Sequence, residues 1–109
     1  MRPKSLQALR DKIRQKTGRT RSGSLPQILA DLNPMLRGWF GDFKHARAST
    51  FQAGDGFVRR RLRAILRRRH KRPGSGRTLK DHQRWPNAFF AAQGLFTLHE
   101  AHGQASQSR

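Results

Sequence analysis

The sequence predicts an all-α protein: a three-helix bundle with a short C-terminal helical extension. Three observations carry that expectation. Apolar residues recur at spacings of three and four in three separate stretches. No stretch sustains the period-two alternation of a half-buried strand. Helix-boundary residues flank the periodic stretches, with serine before them and glycine or proline near their ends.

Charge sets the partner class. The 109 residues fit one small domain, with 24 Lys and Arg against 6 Asp and Glu and a formal net charge of +18. Such a field opposes a compact monomer and is best tolerated beside a polyanion. Nucleic acid is the leading candidate, and an anionic membrane surface is second. There is no cysteine, which excludes disulfides and cysteine zinc sites. No apolar run approaches the ~20 residues of a membrane span. The N-terminal stretch, Met1 to Leu6, lacks the continuous apolar core of a secretory signal. Its Arg-rich, acid-poor character overlaps with organellar transit peptides, although Asp11 follows it.

The first helix is expected over about 6 to 16, capped by Ser5, with Leu6, Leu9 and Ile13 on one face and Gly18 at its C-terminal end. A basic connection leads to Ser24. Ser24-Leu25-Pro26-Gln27 matches a capping box, with proline in the first turn. Leu25, Ile28, Leu29 and Leu32 form the buried stripe of the second helix. Pro34 is expected to kink or split it near Asn33. Beyond the proline, Met35, Leu36, Trp39, Phe40 and Phe43 continue the apolar face, and Gly38 suits a close helix approach.

A turn is expected over 46 to 50, then a third helix from about Phe51 to His70. Phe51, Val58, Leu62, Ile65 and Leu66 share one face. Arg60, Arg63, Arg67 and Lys71 form a stripe on the other. Gly54-Asp55-Gly56 should delay this helix until about Phe57, since each interior glycine costs about 1 kcal/mol against alanine. Residues 71 to 77 read as a loop. A basic, aromatic cluster of Lys80, His82, Arg84 and Trp85 follows. Asn87 is the expected cap of a short helix that stops at Gly94. Leu95 to His102 form a last apolar segment, and a polar disordered tail is expected from Gly103.

The arginine helix is the strongest chemical signal. Planar guanidinium groups along one line match successive phosphates, and 59 to 71 holds no acid to make it an ordinary mixed-charge face. The aromatic residues could stack on unpaired bases, but most fall at helical spacing beside Leu and Ile, as core residues do. Trp85, between Arg84 and Pro86, is the best exposed candidate. His99-Glu100-Ala101-His102 is one residue short of the metalloprotease spacing, and no third ligand accompanies it. No phosphate-binding glycine loop, nucleophile motif or paired carboxylates are found among the scattered acids. The expectation is no catalytic residue, no metal and no cofactor.

One set of residues resembles a known family. Ser24-Leu25 and Leu29, then Leu32-Asn33-Pro34-Met35-Leu36-Arg37-Gly38-Trp39 and Phe43, then Arg60-Arg61-Leu62-Arg63, resemble the maturase-specific domain of group II intron reverse transcriptases. Ser5-Leu6 and Leu9-Arg10-Asp11-Lys12-Ile13 are similar to the stretch leading into that domain. Trp85-Pro86-Asn87-Ala88-Phe89-Phe90, Gly94-Leu95-Phe96 and Leu98 are similar to the C-terminal tail of bacterial members. The resemblance implies a helical module, also called domain X or the thumb. It follows the polymerase palm, binds the intron RNA, helps that RNA reach its splicing-competent fold, and holds template and primer. Arg37, Gly38 and Trp39 match the family motif, and Arg60, Arg61 and Arg63 its basic helix.

There are departures. The chain has no tyrosine, so the family's Tyr-Ala-Asp-Asp motif is absent along with the fingers and palm. No HNH endonuclease segment follows. Asp42 stands where an aromatic is expected and Gly54 where Leu is expected. On that pattern Gly54→Leu should stabilise by roughly 1 to 2 kcal/mol, and Asp42→Tyr should help if its position packs against the helices. The chain looks like a C-terminal fragment of an intron-encoded protein.

The expected organisation is an N-terminal helix and linker over 1–23, a maturase-specific core over 24–72, and a C-terminal loop, short helix and tail over 73–109. The expected function is non-enzymatic: RNA binding that assists folding and splicing of a group II intron. The alternatives are a non-functional remnant or a non-specific nucleic-acid-binding protein. Candidate RNA contacts are Arg37, Arg59, Arg60, Arg61, Arg63, Arg67, Arg68, Lys71, Arg84 and Trp85. The expected partners are intron RNA and, further, a separate palm polypeptide, with no membrane. The expected setting is bacterial cytoplasm, with an organellar one left open.

Overall fold

The first periodic stretch forms α1, Pro3–Lys16. Pro3 lets it start earlier than the expected Ser5 boundary, because a missing N–H costs nothing in a first turn. Leu9 and Ile13 are fully buried. Gly18 is not a left-handed cap: among the described residues, positive φ occurs at Gly23 and Gly94. Thr17 closes the helix instead, its hydroxyl donating to the Ile13 carbonyl at 2.6 Å. The computed structural model describes residues 3–18, 23–43, 46–69 and 83–107. The connection at 19–22, the loop at 71–77, Lys71, Lys80 and His82 lie outside the described residues.

Helix α2, Leu25–Phe43, opens with the expected reciprocal capping box. The Ser24 N–H donates to Gln27 Oε1 at 2.9 Å, and the Gln27 N–H donates to Ser24 Oγ at 3.3 Å. Pro34 does not split the helix. A mid-helix proline costs about 3 kcal/mol, and burial of Ile28, Leu29 and Leu32 before it and Leu36 and Trp39 after it offsets that. Asn33 is a tie rather than a break. Its amide donates to the Gly94 carbonyl at 2.9 Å and its Oδ1 accepts the Phe96 N–H at 2.8 Å.

Helix α3, Ala48–Arg69, begins before the expected Phe51 and runs unbroken through Gly54-Asp55-Gly56. The expected delay to Phe57 does not occur, because these residues receive the C-terminal segment. A Cβ on Gly54 would meet Leu98 Cδ1 at 3.0 Å and Leu9 Cδ2 at 3.5 Å. Close approach of two other helices needs the missing side chain. Gly38, where that approach was expected, has nothing within 4 Å of a Cβ position. Asp42 is exposed, so no aromatic is packed away there.

Helix α4, Asn87–Ala92, starts after Pro86 as N-cap, with Asn87 inside the helix rather than capping it. Gly94, at φ 94°, stops it as expected. The Gly94 N–H reaches the Ala91 carbonyl and the Leu95 N–H the Phe90 carbonyl, both at 3.1 Å, completing a Schellman motif. Helix α5, Leu98–Gln107, continues through Gly103, where a polar tail was expected. With its first turn anchored, each further residue adds a hydrogen bond at little nucleation cost.

Helices α1 and α5 each pack against both α2 and α3. Between α2 and α3 the aromatic rings meet directly: Trp39–Phe51 at 6.2 Å, edge-on, and Phe40–Phe51 at 5.4 Å. One apolar cluster runs from Leu9 and Ile13 through α2 and α3 to Trp85, Phe90, Leu95 and Leu98. The fold is therefore all-α, three long helices whose C-terminal extension shares their core.

Candidate nucleic-acid interface

The arginines of α3 divide into two kinds. Arg63 is 3% exposed. Its Nε donates to the Trp85 carbonyl at 2.8 Å and its Nη2 to Asn87 Oδ1 at 3.0 Å, with the guanidinium 5.4 Å from the Phe90 ring centre. Arg61 donates from Nε to Thr17 Oγ1 at 3.1 Å and from Nη2 to the Thr17 carbonyl at 2.9 Å. A buried guanidinium is tolerable only when its donors are satisfied, and chain oxygens satisfy these. The expected stripe of Arg60, Arg63, Arg67 and Lys71 is thus broken at Arg63, which the segment carrying Trp85 and Asn87 covers. Arg69 similarly donates to the Gly23 carbonyl.

The other candidates lie nearer the surface. Arg68 is exposed, and Arg59, Arg60 and Arg67 are half-buried. Arg37 is exposed with its guanidinium 5.2 Å from the Phe96 ring centre, and exposed Arg84 lies 5.6 Å from Trp85. Trp85 itself is 6% exposed and belongs to the core. The expectation of an exposed base-stacking tryptophan is corrected: neighbouring Arg84 and Pro86 are exposed, but the Trp85 side chain belongs to the apolar core.

A basic constellation that sequence reasoning missed lies between α1 and α3. Three guanidiniums gather round Phe57: Arg10 at 5.9 Å, Arg14 at 5.2 Å and Arg60 at 5.0 Å from its centroid. Phe57 is 8% exposed. Asp11 is the carboxylate at its edge, accepting from Arg14 Nη1 at 3.1 Å and from Gln7 Nε2 at 3.0 Å. Arg10 Nε is buried with no acceptor among the described residues. The available signal was the four-residue spacing of Arg10 and Arg14, which sets both on one face of α1.

Asp55 has a different task. Its carboxylate accepts the Leu98 N–H at 2.7 Å and the His99 N–H at 2.9 Å, capping α5 from another helix. Burial raises its pKa above the ordinary 3.8, opposed by those two N–H groups and by the charges of Arg59 and His99. The His102 ring lies 5.1 Å from Phe51. Among the described residues, no group of three His, Asp or Glu is placed to hold a metal ion. No helix among them is long and apolar enough to cross a membrane. An open groove between α1 and α2, about 670 Å³, is lined by Leu9, Lys12, Met35, Trp39, Asp42 and Phe43.

Fold and charge together define a small all-α basic module. Residues 6–85 match the family model of the group II intron maturase-specific domain, and the chain belongs to that family. The matched domain is the maturase-specific one, not a polymerase palm. Helices α4 and α5 lie beyond the matched stretch. No curated protein and no solved structure matches the chain.

Proposed function

We propose that this domain binds group II intron RNA and assists its folding and splicing, the RNA itself carrying out the chemistry. The observation that carries this proposal is the maturase-specific family assignment. The net charge of +18 supports it, since phosphate neutralisation relieves the self-repulsion. In this assignment Arg37, Arg59, Arg60, Arg67, Arg68, Lys71 and Arg84 contact phosphates. Arg61 and Arg63 hold the fold, and Trp85 fills the core. The domain is not itself an enzyme, and a separate palm polypeptide is a second partner. The setting is the bacterial cytoplasm.

The test is a salt titration of the full chain against a group II intron transcript and a duplex DNA of equal length, with splicing followed at low magnesium. The expected result is tighter binding to the transcript, a log–log salt slope of several units, and faster splicing with protein present. Equal affinity for both ligands with no acceleration would reduce the function to non-specific polyanion binding.

A further inference from the structure

The cluster at Phe57 is chemically unlike the other arginine sites. Like charges four residues apart on a helix repel, and here a third, Arg60, joins them over one ring. One cation over an aromatic face is an ordinary packing device. Three are more than packing α1 against α3 requires. Asp11 accepts from Arg14, and it is shared with Gln7 and half-exposed. Arg61 and Arg63 spend their donors on chain oxygens. Arg10 makes no hydrogen bond among the described residues, and its Nε lacks an acceptor. Turning its guanidinium toward an external anion therefore breaks no internal hydrogen bond.

We propose that Arg10, Arg14 and Arg60, gathered round Phe57, form a clamp across α1 and α3 for one backbone phosphate of RNA. The planar forks suit phosphate oxygens, and all three guanidiniums lie between 5.0 and 5.9 Å from one ring centroid. The ligand is a phosphodiester rather than a base, since the cluster offers donors and charge but no exposed aromatic face. The clamp fixes register on the RNA without reading sequence. This rests on the RNA-binding function proposed above, and it adds α1 to an interface that sequence assigned chiefly to α3.

The experiment has two arms. In the first, wild type and an R10Q/R14Q/R60Q variant are titrated with salt against the intron transcript. Loss of one phosphate contact lowers the log–log slope by about 0.9, with at least a tenfold fall in affinity for every RNA tested. An R10K/R14K/R60K variant keeps the charge and the slope but binds more weakly. Wild-type binding with unchanged slope and affinity in the glutamine variant would overturn the clamp and leave the RNA-binding function intact. In the second, the Arg Nε–Hε NMR signals of wild type are followed while uridylyl-uridine or inorganic phosphate is added. Saturable shifts at Arg10, Arg14 and Arg60 with the dinucleotide, and none at Arg61 or Arg63, are expected even if the chain fails to select intron RNA. Shifts with inorganic phosphate alone would assign the site to a free anion and overturn the RNA clamp. No shift with either would also overturn it.

Discussion

Arg60 and Arg63 stand three residues apart on α3. Arg63 is almost completely buried and spends its donors on Trp85 and Asn87. Arg60 is half-buried and lies over Phe57 beside two other arginines. By sequence the two were members of one stripe. An arginine-rich helix is thus not one surface. What decides each side chain's role is which element covers it, and the C-terminal extension covers one side of α3 while leaving part of the other near solvent. A site built by charge count alone therefore mixes fold-holding guanidiniums with ones nearer the surface.

Removing each arginine in turn separates the two roles. Arg63→Ala removes the donors to the Trp85 carbonyl and the Asn87 side chain and leaves a void against Phe90. A loss of about 3 kcal/mol is expected, or roughly 12 to 24 °C in Tm for a domain of this size. Arg60→Ala should cost at most about 0.5 kcal/mol. Thermal unfolding followed by circular dichroism reads both. Similar losses for the two variants would return Arg60 and Arg63 to a single class.

Glycines give the next largest contrast. Gly54→Leu forces side-chain carbons against Leu98 and Leu9 and should destabilise by about 2 kcal/mol. That sign is opposite to the stabilisation expected from the helix pattern alone. Gly38→Ala meets open space and should stabilise by up to about 1 kcal/mol. Urea midpoints decide the matter: a more stable Gly54→Leu protein would mean that α5 does not sit against α3 as described.

The smallest effect expected is a pH dependence at Asp55. Burial raises its folded pKa above 3.8, so the folded state holds the proton more tightly than the unfolded state. Its contribution is fully present below about 3.8 and is lost as pH rises through the raised folded value. Asp55→Asn cannot ionise. The Tm difference, variant minus wild type, should therefore grow in the variant's favour as pH rises through that window, and level off above it. A difference that does not change with pH would show that the two N–H bonds from α5 fully compensate the burial.

Much of the fold was legible because its signals are local. The stripe of Ile28, Leu29, Leu32 and Leu36 follows from helical spacing and is buried. The capping box at Ser24 and Gln27 and the stop at Gly94 involve neighbours within a few residues, and both form. The basic balance is a sum over the chain, and the Asn33-Pro34 to Trp39 motif is a contiguous string, so family and charge could be read directly. These determined an all-α, strongly basic maturase-specific domain.

What only the tertiary structure decided depends on residues far apart in the chain. Arg61 meets Thr17 across 44 positions, Asp55 meets Leu98 across 43, and Asn33 meets Phe96 across 63. Whether Gly54 is a flaw or a contact, whether Trp85 stacks or packs, and whether an arginine grips the fold or faces outward all turn on such pairings. The gathering of Arg10, Arg14 and Arg60 at Phe57 is of the same kind. Helical periodicity states which residues share a face; it carries no term for which distant element that face will meet, because that choice is made by packing of the whole chain at once.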